Sequence, residues 1–401
     1  MSAQQRRPHI LQVIHHLDLG GSEEVAISLT EQLQGEYDLS FFAVRGVRDT
    51  AVGQSMKRRL DQIGVQVHSG TTLELKRGGF LVAAARLAAL TRRLRPDIVH
   101  LHTEVPELTH AFSQGFLGSA AERPSMLTRT LHNTVYWGPW QWLGSQVEKR
   151  LSAVPALACS NAALEGMQSF RTSNGLAPLA PAVRRVIYNG VAPATTVRTE
   201  RAAGPLRVMV AGRLEAQKGV DLLPAILAHA TSLGHPPAEL NIYGSGSLQP
   251  DLERWAAQGV PGWTINMFAP TPKLRELMMQ HDLLLMPSRF EGLALVVAEA
   301  LMAGLPVIGT QIAGMSEVFP EQYPLLAPPE DAPALGKLLA ESLQETERLL
   351  ALSQHWIAPT IQKFSVSRMG REYAEIYRQL LQNTALGAAS RGAEGQAPES
   401  V

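Results

Sequence analysis

Cysteine is almost absent from this chain. Cys159 is the single cysteine in 401 residues. That excludes an intrachain disulfide and a zinc site built on several cysteines, and it leaves a reducing compartment open. Charge of either sign is not in excess. Lys plus Arg and Asp plus Glu are 36 each, so the formal net charge is zero. The broad basic field used to hold nucleic acid is missing. No run of about 18 continuous apolar residues occurs, which excludes a membrane-crossing helix. The N-terminal apolar run is broken by Gln12, His15, His16 and Asp18. It lacks a secretory h-region and a small-residue cleavage site, so it reads as a first strand. No repeat period or heptad run is visible.

What is present points to large cores. Hydrophobic residues make up 45% of the chain and charged residues 18%, which excludes a disordered chain. A single core rarely grows past about 250–300 residues, so two domains are expected. Residues 9–15, 39–44, 65–68, 97–101, 125–131 and 153–159 read as strands, and 23–33, 56–63 and 80–94 as helices. Nearly continuous apolar strands alternating with amphipathic helices predict a parallel sheet covered on both faces. Residues 192–205 are small, polar and proline-bearing and read as a linker. A second series follows, with strands at 206–210, 239–243, 264–268, 282–286 and 306–309 and helices at 220–233 and 293–303. The expected organisation is an N-terminal domain over 1–191, a linker over 192–205 and a C-terminal domain over 206–365. A late amphipathic helix with Tyr373 and Tyr377 covers 366–383, and 384–401 is a flexible tail rich in Ala, Gly, Ser and Glu. Ligands of doubly wound sheets bind at the carboxyl ends of strands, so the cleft between two such domains is the natural site.

Charge differs between the halves. Residues 1–191 carry a net +5 and residues 192–401 a net −5. Either these are two ordinary surfaces, or the N-terminal half approaches an acidic acceptor or an anionic membrane surface.

Two segments carry chemistry. The first is GRLEAQKGVDLL, residues 212–223. A strand ends just before a glycine turn that carries Arg213 and Lys218, and a helix follows. Two cations beside a helix N-terminus suit a diphosphate, with Arg gripping oxygens bidentately and Lys acting as a point charge. Such a turn can also be merely solvated. The second is SRFEGLALVVAEALMAGLPVIGT, residues 288–310. Glu291 precedes a Gly292-Leu293 turn. Glu299 lies eight residues on, a little over two helical turns, so both carboxylates can point near one face. Glu299 sits in an otherwise apolar helix, where a carboxylate is costly unless paired or hydrogen-bonded. Sugar or ribose hydroxyls would be suitable donors, and a structural salt bridge would serve as well.

In order and spacing these motifs resemble the retaining glycosyltransferases of family 4, which have the GT-B fold. The resemblance extends through GGSE at 20–23, DIVHLHT at 97–103, LHNT at 131–134, YNGV at 188–191, IYGSGSLQPDLE at 242–253 and IAGMSEV at 312–318. It implies two doubly wound Rossmann-like domains facing a central cleft, with a C-terminal helix crossing back to the N-domain. It also implies roles. Arg213 and Lys218 would hold the donor diphosphate, Glu299 the ribose and Glu291 the donor sugar. Gly212 and the backbone of Gly292, Leu293 and Ala294 would approach sugar or phosphate. Gly20 and Gly21 would form the N-domain loop facing the diphosphate, and Tyr243, Gly244 and Gly246 the loop beside the base. His132 matches the family's active-site histidine. The implied activity is metal-independent transfer of a hexose-type sugar (EC 2.4) from a nucleotide diphosphate sugar, in polysaccharide biosynthesis. The acceptor would be a hydroxyl of a glycan or polyisoprenoid-linked glycan. No Asp-x-Asp metal motif is present. No cofactor, metal or nucleic acid is expected, only the donor sugar nucleotide. The expected location is cytoplasmic, with peripheral contact of the N-domain at the inner membrane face. The rival readings are a GT-B phosphorylase or epimerase, and a non-catalytic nucleotide-sugar-binding subunit.

His102 ends a strand at the sheet's carboxyl edge and, with His132, is assigned to the acceptor side; His100 alternates with it and suits the core. In YWGPWQW, residues 136–142, Trp137 and Trp140 are candidates for an acceptor platform or for packing beneath an interface. Cys159 reads as a small buried thiol. The chain departs from the family pattern at Ala192, where Asp usually follows YNGV, and at Ala294, where Gly or Pro is usual. The first bears on the hinge and the second on donor choice.

Overall fold

Thirteen strands form two all-parallel sheets in the computed structural model, which describes residues 6–117, 125–194, 196–201 and 204–394. The first sheet holds β1 (His9–Ile14), β2 (Asp38–Ala43), β3 (Gln66–Ser69), β4 (Ile98–His102), β5 (Met126–Leu131), β6 (Ala156–Ala158) and β7 (Arg184–Val186), in the order β3-β2-β1-β4-β5-β6-β7. The second holds β8 (Leu206–Ala211), β9 (Ala238–Tyr243), β10 (Trp263–Phe268), β11 (Leu283–Met286), β12 (Val307–Thr310) and β13 (Leu326–Ala327), in the order β10-β9-β8-β11-β12-β13. Each order reverses once, between β1 and β4 and between β8 and β11. Those are the points where loops diverge and leave a crevice at the carboxyl edge.

The central strands β1, β4, β8, β11 and β12 are largely apolar because both faces are covered, while the edge strands β3 and β7 are polar and partly exposed. In β1, Leu11 and Val13 pack with Phe42 and Leu87 on one side, while Ile10 and Ile14 face the other. This two-residue alternation places Gln12 on the face of Ile10 and Ile14. The helix Gly21–Leu33 follows β1, with Gly20 extended at its start and Glu23 and Glu24 in the first turn, where the helix dipole favours anions. In the second domain the helix Leu295–Met302 is buried nearly all round, against the helix Thr346–Phe364 and the sheet.

The last helix, Val366–Glu394, returns to the first domain. Met369, Tyr373, Tyr377 and Leu380 recur at helical spacing and pack on Ile10, Val25, Leu29 and Ile98. It runs past residue 383, where the sequence ends it. The rest of the predicted tail, 395–401, lies outside the described residues. The chain thus crosses between domains twice, and the crossings are stitched together. Val191 N–H donates to Phe364 O at 2.8 Å and Val366 N–H to Val191 O at 3.0 Å. A Cβ on Gly190 would run into the backbone of Ser365 and Val366. The segment after Ala192 is anchored too: Arg198 is buried and pairs with Asp282 at 2.6 Å.

Candidate functional site

Every loop singled out in the sequence leaves the carboxyl edge of a sheet. Gly20 and Gly21 follow β1, His102 ends β4, and His132 follows β5. Gly212–Lys218 follows β8, Tyr243–Gly246 follows β9, and Ser288–Ala294 follows β11. The two edges face and touch. A Cβ on Gly21 would lie 3.5 Å from Leu295 Cδ1, and one on Gly292 would occupy the place of the His132 carbonyl. Gly292 is therefore glycine because the two domains meet backbone to backbone at that point.

On the C-terminal side the polar groups are paired with one another. Lys218 Nζ donates to both oxygens of Glu291, at 2.7 and 2.8 Å, and Ser288 Oγ donates to Glu291 at 2.7 Å. Glu291 is buried, so this three-way contact keeps its carboxylate compensated. Arg213 is exposed and donates to Gln217 Oε1 at 2.9 Å. Glu299 accepts two hydrogen bonds from Arg275, at 2.9 and 2.8 Å, both on Oε1. Oε2 is left free. Burial raises the Glu299 pKa, and the Arg275 charge opposes that rise. The two glutamates thus belong to separate ion pairs and do not contact each other. A small cavity at the ends of β8 and β11 is lined by Gly212, Arg213, Lys218 and Ser288. A larger one, about 360 Å³, lies at the opposite, amino edge of the first sheet, between Arg7, His9, Tyr37 and Asp38, away from these groups.

Tyr243 is stacked on Phe268 with ring centroids 4.8 Å apart. Gly244 and Gly246 meet a structural demand: a Cβ on either would strike the backbone of the Gly212–Leu214 turn. Their loop is pinned to that turn by Leu214 N–H to Ser245 O and by Ser247 on Glu215. Leu293 and Ala294 are buried at the start of the apolar helix.

On the N-terminal side His132 is nine-tenths buried, and burial lowers its pKa to about 3, so the ring is neutral. Its Nε2 lies 3.1 Å from His102 Nδ1. Asn133 donates to Glu104 at 2.9 and 3.0 Å. Glu23 is buried at the Gly20 loop, with its pKa raised by burial and eased by His16, Ser22 and, across the cleft, Arg213. Of its two readings, Trp137 takes the packed one. It is buried against Gly144, so it cannot serve as a surface platform. Trp140 and Trp142 are 55% and 74% exposed. Cys159 is buried, and burial pushes its thiol up to about 12.

Glu317 of the C-domain closes the interface. Its carboxylate accepts from the backbone N–H groups of Asn161 and Ala162 at 2.9 and 2.7 Å, from Asn161 Nδ2 at 3.0 Å and from Tyr188 OH at 2.9 Å. It sits on the N-terminus of the helix Asn161–Ser173, where backbone donors and the dipole favour an anion. Ser160 Oγ adds a bond to Gly292 O at 2.5 Å. Sequence reasoning quoted IAGMSEV without giving Glu317 a role. It passed over Ser288, and Arg275 carried no local signal at all.

Comparison with known proteins agrees with this geometry. A family model described as Glycosyltransferase Family 4 matches residues 19–195, and one described as Glycosyl transferases group 1 matches 205–345. Among curated proteins, the chain is 25% identical over 333 residues to the 2-deoxystreptamine N-acetyl-D-glucosaminyltransferase of Streptomyces fradiae, covering 78% of this chain and 76% of that one. It is 26% identical over 176 residues to the alpha-D-kanosaminyltransferase of Streptomyces kanamyceticus, covering 43% of this chain and spanning under half, 45%, of that relative's length. The fold matches Anabaena Alr3699/HepE, solved in complex with UDP-glucose, with a TM-score of 0.73 at 18% identity over 92% of this chain and 99% of that one. The paired Rossmann-like sheets, the returning helix and the two family matches together place this chain among the family 4-like glycosyltransferases of the GT-B fold.

Proposed function

We propose that the protein transfers a hexose-type sugar from a nucleotide diphosphate sugar to a hydroxyl of a glycan or lipid-linked glycan, with retention of configuration and without a metal ion. The observation that carries this reading is the placing of Arg213, Lys218 and Glu291 on the β8 and β11 loops, opposite His132, with Glu299 on the helix that follows the β11 loop.

The roles follow from the chemistry. The donor's C1–O bond to phosphate breaks, and the leaving diphosphate gains negative charge. Arg213 and Lys218 stabilise that charge, chiefly in the transition state. The acceptor oxygen bonds to C1 on the same face, and its proton passes to the departing phosphate oxygen. No nucleophile from the protein enters, so Glu291 is not a glycosidase-type carboxylate. Diphosphate binding competes with Glu291 for the Lys218 ammonium, and Glu291 is then free to accept from sugar hydroxyls. Glu299 Oε2, left open by Arg275, is the acceptor for ribose hydroxyls. Gly20, Gly21 and Gly292 bring backbone to the sugar and phosphate, and Tyr243 stands beside the base. UDP-glucose in the Anabaena structure and the aminosugar groups that the curated relatives' names say they transfer support a donor of this class.

The acceptor approaches from the N-domain beside His132; His102, assigned to the acceptor side from sequence, is buried behind it between His132 and Gln12. Trp140, Trp142, Val135 and Phe112 are exposed apolar side chains of that domain, which suits a lipid-linked acceptor and peripheral contact with a membrane. No described helix is long and apolar enough to cross one.

Substituting Glu299→Ala abolishes donor turnover while circular dichroism and melting stay close to wild type; Lys218→Ala abolishes it too, with native circular dichroism but a lowered melting temperature, because buried Glu291 loses its cation. Wild-type turnover by both variants would refute the assignment. Chelation with excess EDTA leaves the rate unchanged; a loss restored by a divalent cation would refute metal independence.

A further inference from the structure

Gln12 is a polar residue in the middle of an apolar strand, fully buried, and the site described above does not touch it. It stands in a line of buried polar side chains that begins at His132. His132 Nε2 meets His102 Nδ1 at 3.1 Å, and His102 Nε2 meets Gln12 Oε1 at 2.7 Å. Gln12 Nε2 donates to Tyr377 OH at 3.2 Å. Tyr377 OH meets His100 Nδ1 at 2.7 Å, His100 Nε2 meets Thr130 Oγ1 at 2.7 Å, and Thr130 Oγ1 meets Tyr373 OH at 2.9 Å. Three elements of the first sheet and the returning helix supply these groups, and Gln12, His100, His102, Thr130, Tyr373 and Tyr377 are each at most 1% exposed.

Burial keeps His100 and His132 neutral, with pKa values near 3, and holds that of His102 well below its ordinary value. A neutral imidazole has one N–H and one bare nitrogen, so each link fixes the next. The Gln12 amide sets the direction for the whole line. Its oxygen faces His102, so His102 carries its proton on Nε2 and leaves Nδ1 bare. His132 must then donate from Nε2, and its own Nδ1 is left as a lone pair. On the other side the Gln12 amide N–H donates to Tyr377, whose hydroxyl donates to His100. His100 Nε2–H then donates to Thr130, and Thr130 to Tyr373. Each of the bonds named runs in one sense, away from the Gln12 amide nitrogen on one side and toward its oxygen on the other.

We propose that Gln12 is a positioning residue for the glycosyl-transfer site. Acting through His102, it holds His132 as the Nε2–H tautomer with a bare Nδ1, and through Tyr377 it ties that state to the returning helix. His132 then meets a substrate hydroxyl as a hydrogen-bond acceptor, never as an acid. This rests on the reading that His132 faces the reacting sugar. The line itself is independent of that reading. Reversing the Gln12 amide would reverse every bond and present an Nδ1–H, so one side chain selects between two states of the ring.

The test is long-range proton–nitrogen NMR on the full chain labelled with nitrogen-15 histidine, with His132 assigned by the signals lost in His132→Gln. The wild type shows His132 protonated at Nε2 and bare at Nδ1, with and without added UDP. In Gln12→Met the side chain keeps its volume and loses the acceptor, so the His132 signals move to a mixture of tautomers. Losing one directed hydrogen bond lowers kcat about tenfold. UDP affinity stays within about twofold, since no diphosphate contact is removed. Tyr377→Phe shifts the same signals by removing the partner of the Gln12 amide N–H. An Nδ1–H tautomer in the wild type would overturn the proposal whatever the variants do. So would Gln12→Met with an unchanged tautomer and wild-type kcat. A protein that shows the Nε2–H tautomer but neither binds UDP, GDP or ADP nor turns over a donor would leave the line standing and refute the transfer function instead.

Discussion

Lys218 and Glu291 illustrate how a ligand site is kept stable before its ligand arrives. The pair is held at 2.7 Å with only 19% and 6% of the side chains exposed. A buried carboxylate stripped of its partner costs several kcal/mol, so the lysine protects the fold until a diphosphate competes for it. Arg275 stands in the same relation to Glu299. Arg275→Ala is therefore expected to weaken nucleotide binding although the residue contacts only the glutamate. Burial alone then raises the Glu299 pKa further, and nucleotide affinity falls toward acid pH earlier than in wild type. Titration calorimetry across pH reads this, and an unchanged pH profile would contradict it. A second residue-scale expectation concerns stability alone. Glu148 is fully buried between Arg129 and Arg171. Glu148→Ala leaves two buried guanidinium groups short of an anion and costs about 3–5 kcal/mol by chemical denaturation. A cost below 1 kcal/mol would contradict it.

At the scale of elements, the cleft is set by short contacts between loops. Glu317 on the Asn161–Ser173 helix and Gly292 beneath His132 are two of the contacts that join the domains at the site. Gly292→Ala places a methyl group in the His132 carbonyl. The domains must part there, so small-angle scattering should show a larger radius of gyration and turnover should fall at least tenfold, since misplacement of reacting groups is costly. Glu317→Ala removes four hydrogen bonds across the interface and should open the cleft without touching any donor residue. Unchanged scattering curves for both variants would contradict this account of closure. Most of this framework was legible in the sequence. The strand–helix alternation, the cation turn at 212–219 and the glutamate pair are local patterns, and local patterns are what a sequence exposes. Partners fixed by tertiary contact were not. Arg275 meets Glu299 from 24 residues away, and Gln12 meets Tyr377 from 365. The choice between the two readings of Trp137 was open for the same reason: its neighbour Gly144 lies in the helix beyond the loop, and nothing local says that the ring turns inward.

For the whole molecule, buried neutral histidines set the response to acid. Burial holds His100 and His132 near 3 and His15 and His110 near 4, against an ordinary value of 6.5. The unfolded chain takes up these protons first as pH falls below 6.5. Stability conferred by the neutral rings is thus complete above 6.5 and is lost as pH falls toward 3–4, at up to about 1.4 kcal/mol per pH unit for each ring. Melting temperature should drop steeply between pH 6.5 and 4, and His110→Gln should flatten that drop. A melting temperature constant across this range would contradict the burial of these rings.

The two domains matter only if a nucleotide joins them, and calorimetric binding of UDP, GDP and ADP to wild type and to Lys218→Ala tests that most directly. The account predicts tight binding of one nucleotide to the wild type, weakened at least a hundredfold in the variant, in line with about 3 kcal/mol for a charge-assisted contact to a diphosphate. Equal binding by both proteins, or none by the wild type, would contradict it.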